Sequence, residues 1–318
     1  MSLLLTLITV ILSAYIRLAE VGIGCEDWPA CYAQLNPATE KRGITVLTAD
    51  GQDMAHQSAR IAHRYIASIL GLFIVAIFLL ALRQGSARAT GVLVPLSIFV
   101  ITVFLSLLGY YTPTRSNPLI TMGNLLGGMG LLGLLWWLMQ RDTGAVELPA
   151  KIMAYRPLAI AALALVMLQI ILGGWSSANY ASASCPGLLS CESNALASGH
   201  AGDVFNPFRE IVVDSSGQSE RADSLGLLSM VHRLFAVLTA AYLAWMVRTL
   251  KTESALTGTI LALSVFSIGQ IVVGVSMIWL HLPLFMVTLH NALAAGLFLS
   301  TINLLHRLTP AIASRPPG

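Results

Sequence analysis

Three histidines stand where an imidazole could do chemistry. His63 in "IAHRYIAS" and His232 in "MVHRLFAV" each precede an arginine, Arg64 and Arg233, where a polar stretch gives way to an apolar run. His290, in "LHNALAAGLF", follows Pro283 by seven residues. An imidazole can ligate a metal, move a proton or simply satisfy a neighbouring polar group, and an arginine beside it offers a planar fork to a carboxylate. Four cysteines form a second group, Cys25 with Cys31 and Cys185 with Cys191, both spaced C-x5-C. Such pairs can close short disulfide loops in an oxidising compartment. The alternatives are a zinc site, for which C-x2-C is the usual spacing, and free redox-active thiols.

The elements that position these groups follow from composition. The 318 residues are 56% hydrophobic and 10% charged, where a soluble domain carries roughly 25% charge; this is a membrane protein. Runs long enough to cross a bilayer, about 20 residues each, occur eight times, at about 3–18, 61–82, 92–111, 119–140, 157–176, 226–247, 257–279 and 284–304. The first run lacks a basic leader and is followed by Arg17 and Glu20 where a cleavage motif would stand, so it reads as a retained helix. Arg83, Arg88, Arg141, Lys151, Arg156, Arg248, Lys251, Arg307 and Arg315 fall on one side with only Asp142, Glu147 and Glu253. That side is expected to be the cytoplasm, with both termini there and the cysteine loops in the periplasm of a bacterial inner membrane. The net charge of +3 comes with no basic tract, which argues against a nucleic-acid partner.

Each half of the chain runs helix, cysteine loop, helix with His-Arg, then two more helices. His63 maps onto His232 at an offset of 169, and the cysteines map at 160. The expected fold is all-α, an integral membrane protein of eight helices arranged as two four-helix bundles related as parallel repeats. The halves are 1–156 and 157–318.

A buried histidine in a membrane helix is functional by default. His232 lies about six residues into its helix and His290 about seven past Pro283, so both sit roughly 10 Å below the same surface. Two opposed imidazoles at one depth in an apolar bundle are what six-coordinate haem iron requires, and Arg233 at the wetter end is suited to a propionate. The bland alternative is that each ring hydrogen-bonds a neighbouring carbonyl. In the first half, His63 and Arg64 have no histidine partner: the position matching His290 is Asn124, a poor iron ligand. Such a half holds iron from one side only, as a substrate site with an open coordination position would, or as a degenerate site would.

Other residues read as packing or anchoring. Gln169 and Gln270, each followed by glycine four residues on, suit interhelical contacts, with haem contact as the alternative. "GGMGLLG" from Gly127 is a helix-packing surface, and Trp28 and Trp175 are interfacial anchors. His200, His281 and His306 carry little signal. Arg17 and Arg60 are boundary arginines or extra cations for a first-half porphyrin.

Taken together, "GIGCEDWPAC", "AHRYIASILGL", "TMGNLLGGMGLLGLLWWL", "LQIILGGWSSANYASASC", "MVHRLF" and "LHNALAAGLF" resemble the haem A synthase family over nearly the whole chain. The resemblance implies a haem b held by His232 and His290, with Arg233 beside it. It also implies a first half that handles haem o through His63, with Arg64 and Asn124 near it, the C8 methyl being oxidised to the formyl of haem a. Cys25 with Cys31 and Cys185 with Cys191 match the family's two outer cysteine pairs, expected as disulfides. Implied partners are the haem o substrate and its supplying synthase, an electron donor and cytochrome oxidase assembly factors; the apolar spans add the lipid bilayer, and association with a second copy of the chain is left open by the sequence. Three positions depart from the family pattern: Arg60 where a Glu is expected, Asn124 where a second first-half histidine is expected, and Ser229 where a histidine often stands. A carboxylate at 60 would move protons and a guanidinium does not; His56, two helical turns before His63, is a candidate substitute. A non-catalytic b-type haem protein serving haem delivery, electron transfer or oxidase assembly is the second functional class. A transporter, the third, would want broken helices or midplane charges, which the sequence lacks.

Overall fold

The computed structural model describes residues 1–20, 50–84, 91–111, 118–142, 148–185, 187–188, 190–191, 202–209 and 225–310. Among these residues the chain is helical, without strands. Eight helices among the described residues are long and apolar enough to cross a membrane: α1 Ser2–Glu20, α2 Asp50–Gln84, α3 Leu93–Tyr111, α4 Pro118–Asp142, α5 Arg156–Ala178, α6 Leu225–Leu250, α7 Thr257–Trp279 and α8 Leu284–Arg307. A single turn, Ala150–Met153, leads into α5, and short 3-10 turns lie at Ala181–Ser184, Asp203–Phe205 and Ser254–Leu256.

Lipid offers the backbone no hydrogen-bond partners, so the spans must satisfy their own polar groups. Their hydroxyls follow the same rule: Thr6, Thr9, Thr102, Ser264 and Thr288 each donate to the carbonyl four residues earlier. Large apolar residues such as Leu72, Phe104, Leu261 and Ile268 are left exposed on the outer faces, as a lipid-facing surface requires.

Helices α1 and α3 each pack on α2 and α4, and α5 and α7 each pack on α6 and α8. Contacts of α1 with α8, α4 with α8 and α4 with α5 join the two groups. Glycines set the close approaches. On α4, a Cβ at Gly127 would lie 2.6 Å from Leu105, one at Gly128 3.2 Å from Val10, and one at Gly133 2.8 Å from Ile302 and Phe298. The "GGMGLLG" run is therefore a packing surface for α3, α1 and α8 together. The larger core cluster, containing Leu132, Val166, Met246, Leu263 and Phe298, lies among α4 to α8; a smaller one of Leu70, Ile74, Ile98, Leu131, Leu135 and Leu138 joins α2, α3 and α4.

Helix α2 starts eleven residues before the apolar run at 61. "DMAHQSAR" contains no glycine or proline and is rich in good helix formers, so the polar segment continues the helix. His63 is consequently several turns inside α2 and not at its first turn; His56 shares that helix, its side chain lying outside the described residues. The α7–α8 connection is tight: Leu282 donates its N–H to Met277 O at 2.7 Å, and His281 and Leu282 both take φ of 58°. Left-handed backbone costs a non-glycine residue about 1–2 kcal/mol, and it lets Pro283 cap α8 immediately, which fixes the depth of His290.

Candidate functional site

His232 is the eighth residue of α6 and His290 the seventh of α8, so both lie about 10 Å along their helices from the same side of the bundle. Each rests on a glycine of the preceding helix. A Cβ at Gly173 of α5 would come 2.8 Å from Cε1 of His232, and one at Gly274 of α7 would come 3.1 Å from Cε1 and 3.6 Å from Nδ1 of His290. Any larger residue at Gly173 would have to displace the ring. Gln169, one turn before Gly173, puts Nε2 3.0 Å from His232 Nδ1 and donates to the His232 carbonyl at 3.1 Å. Nδ1 of His290 and Oε1 of both Gln169 and Gln270 are buried without a partner.

This donor set suits one kind of metal centre. Among the described residues no three His, Cys, Asp or Glu side chains come together, whereas a porphyrin supplies four equatorial nitrogens and asks the protein for only two axial imidazoles. The glycines clear space for the rings, and the unpartnered Nδ1 of His290 is the atom that a ligating imidazole normally donates to a neighbour. The residues present fit a haem.

In the first half, His63 is half-buried on α2 while Arg64 is exposed. Asn124 is half-buried on α4, and a Cβ at its neighbour Gly123 would lie 2.9 Å from Leu108 on α3. Cys25, Cys31 and Trp28 lie outside the described residues.

The chain matches the COX15-CtaA family, described as cytochrome oxidase assembly protein, over residues 1–302. It belongs to this family of cytochrome oxidase assembly proteins. A relative from Shewanella oneidensis named "Heme A synthase" is 32% identical over 318 aligned positions, covering 95% of this chain and 93% of the relative.

The loop beside His232 in this assembly protein is closed by a disulfide. Cys185 is bonded to Cys191, which removes the zinc and free-thiol alternatives for that pair. The Arg233 guanidinium, next to His232, donates through Nη1 to the carbonyls of Gly187 and Leu188 at 2.6 Å each and through Nη2 to that of Cys185 at 3.3 Å. It is thus anchored to the disulfide loop, leaving Nε and one Nη2 hydrogen for any carboxylate. Trp175 is not an interfacial anchor. It is buried and donates to Val204 O at 2.7 Å, in a cluster with Met122, Ala181, Leu225 and Leu228 that ties α4 to the 3-10 turns at Ala181–Ser184 and Asp203–Phe205. Gly174 makes room for this contact, since a Cβ there would fall on Leu125 and Met122. Adjacent glycines, about 100° apart around α5, therefore serve different neighbours, one the imidazole and one the other half of the chain.

Proposed function

We propose that this chain is a haem A synthase, oxidising the C8 methyl of haem o to the formyl of haem a for cytochrome oxidase. In this reading residues 157–318 hold a haem b and residues 1–156 receive haem o, in two four-helix bundles related as parallel repeats. The observation that carries the proposal is the matched pair of glycine-seated imidazoles, His232 and His290, at one depth; the family match and the name of the Shewanella relative support it. His232 and His290 would take the axial positions, and Arg233 would turn its remaining donors to a propionate. When bound, haem b supplies one-electron transfer.

His63 is the residue assigned to the substrate iron, with Arg64 available to a propionate. Opposite it the first half offers no second imidazole in either register of α4. The offset of 165 that maps Pro118 onto Pro283 puts Leu125 at the histidine's place, with Asn124 one residue before it, and pairing Thr121-Met122-Gly123-Asn124 with Thr288-Leu289-His290-Asn291 puts Gly123 there. An iron held from one side keeps a coordination position open. The excess of basic residues in the loops on one side supports cytoplasmic termini and a periplasmic disulfide loop in the inner membrane of a bacterium. Arg60, which cannot accept a proton as a carboxylate would, favours the second reading, a b-type haem protein acting in haem delivery or electron transfer.

Purified from a haem b-producing host, the protein is expected to show a low-spin, bis-imidazole spectrum. His232→Ala and His290→Ala should each abolish that spectrum, and His63→Ala should leave it intact. Low-spin haem surviving both of the first two substitutions would contradict the assignment.

A further inference from the structure

We infer that Gln169 and Gln270 are positioning residues for the two imidazoles, each offering its amide oxygen to the Nδ1–H of the histidine on the next helix so that Nε2 is left for iron. The inference rests on the haem b reading above. Helix α5 carries Gln169-Ile170-Ile171-Leu172-Gly173 and α7 carries Gln270-Ile271-Val272-Val273-Gly274, and residues four apart share one helix face. On α5 that face meets His232 twice, through Gly173 beneath the ring and Gln169 at Nδ1. On α7 the same face meets His290 through Gly274, whose Cβ position is nearest to Cε1 and Nδ1 and not to Nε2. The ring edge bearing Nδ1 therefore leans toward the helix that carries Gln270. A buried acceptor, Gln270 Oε1, and a buried ring nitrogen, His290 Nδ1, are both unpartnered, and pairing them satisfies both.

At His232 the amide is turned the other way. Gln169 Nε2 faces Nδ1 and also donates to the His232 carbonyl, while its Oε1 is buried without a partner. As a donor to Nδ1 it holds the neutral ring's single proton on Nε2. To accept from Nδ1–H the amide must turn and give up its bond to the His232 carbonyl, which as an acceptor cannot face Oε1; the proton then sits on Nδ1, the tautomer a metal-ligating imidazole needs. The same positions of the first half have no such group. An offset of 160 places Thr9 and Ser13 at Gln169 and Gly173, and an offset of 165, which maps Pro118 onto Pro283, places Leu105 and Gly109 at Gln270 and Gly274. The Thr9 hydroxyl already donates to Leu5 O at 2.7 Å, and leucine has no polar atom. A general helix-packing role would not restrict glutamine to the half with two imidazoles.

The test is the midpoint potential of the bound haem b in the full-length protein carrying Gln270→Leu, Gln270→Glu, Gln169→Leu or Gln169→Glu, with haem content and low-spin absorption recorded in parallel. An acceptor at Nδ1–H makes the imidazole a stronger donor and favours ferric iron. The leucine variants should therefore shift the potential upward and the glutamate variants downward from the unsubstituted protein. Loss of haem from the leucine variants with retention in the glutamate variants would support the same conclusion. Shifts of one sign in both, no shift in either, or haem loss from both would show a packing role and overturn the inference. An unsubstituted protein without bis-imidazole haem would defeat the haem b reading itself, and this inference with it; any of the preceding adverse results in a protein that does hold that haem defeats the inference alone.

Discussion

His232 and His290 differ from His63 in how firmly the surrounding residues hold the ring. Both second-half rings rest on a glycine, and His232 is bonded by Gln169. His63→Ala is therefore expected to leave haem b content unchanged while removing conversion of haem o, as separated by chromatography of extracted haems. The depth of the two second-half imidazoles was legible in the sequence because Pro283 and the polar-to-apolar boundary near 225 mark the helix starts. Their seats were not, since Gly173 precedes His232 by 59 residues and Gly274 precedes His290 by only 16; no linear spacing relates the two pairs. The role of Trp175 is hidden from the sequence for a similar reason. An aromatic near a helix end looks like an interfacial anchor until Val204, 29 residues away, is seen to accept its N–H. Trp175→Phe should lose that bond, worth about 1 kcal/mol, and lower the melting temperature of the purified protein.

At the scale of elements, hydropathy located all eight spans but not the polar first turns of α2, because helix formation in "DMAHQSAR" depends on propensity and not on apolarity. Close approach of helices makes single methyl groups costly. Gly133→Ala should cost about 1–3 kcal/mol through overpacking against Ile302 and Phe298, whereas Gly71→Ala, where a Cβ meets nothing within 4 Å, should not destabilise; thermal melts of the two variants make the comparison. The disulfide loop and Arg233 behave as one element. Joining Cys185 to Cys191, six residues apart in sequence, restricts the unfolded loop by about 2 kcal/mol, and Arg233 adds three backbone contacts to the same loop. Removing the disulfide by Cys185→Ser with Cys191→Ser and removing the clamp by Arg233→Met should therefore be non-additive in a double-mutant cycle of melting temperatures. Full additivity would show that loop and arginine act separately.

Across the whole molecule, the contacts of α4 with α5 and α8 put the half assigned to haem o against the half assigned to haem b. Gly174, Met122 and Leu125 lie in that contact one residue away from the seat of His232. Repetition of the helix pattern was visible in the sequence. The cross-contacts that join the halves were not, because apolar residues facing lipid and apolar residues facing another helix have the same composition. The proposed activity depends on whether the first half, with Arg60 in place of a carboxylate and a lone His63, oxidises its substrate. The most direct measurement is to express the chain in a host that makes haem o but no haem a, extract the haems and separate them chromatographically. Haem a or its hydroxylated precursor is expected alongside haem b, and is expected to be lost on His63→Ala. Haem b alone, in folded protein shown to have received haem o, would contradict the proposed activity.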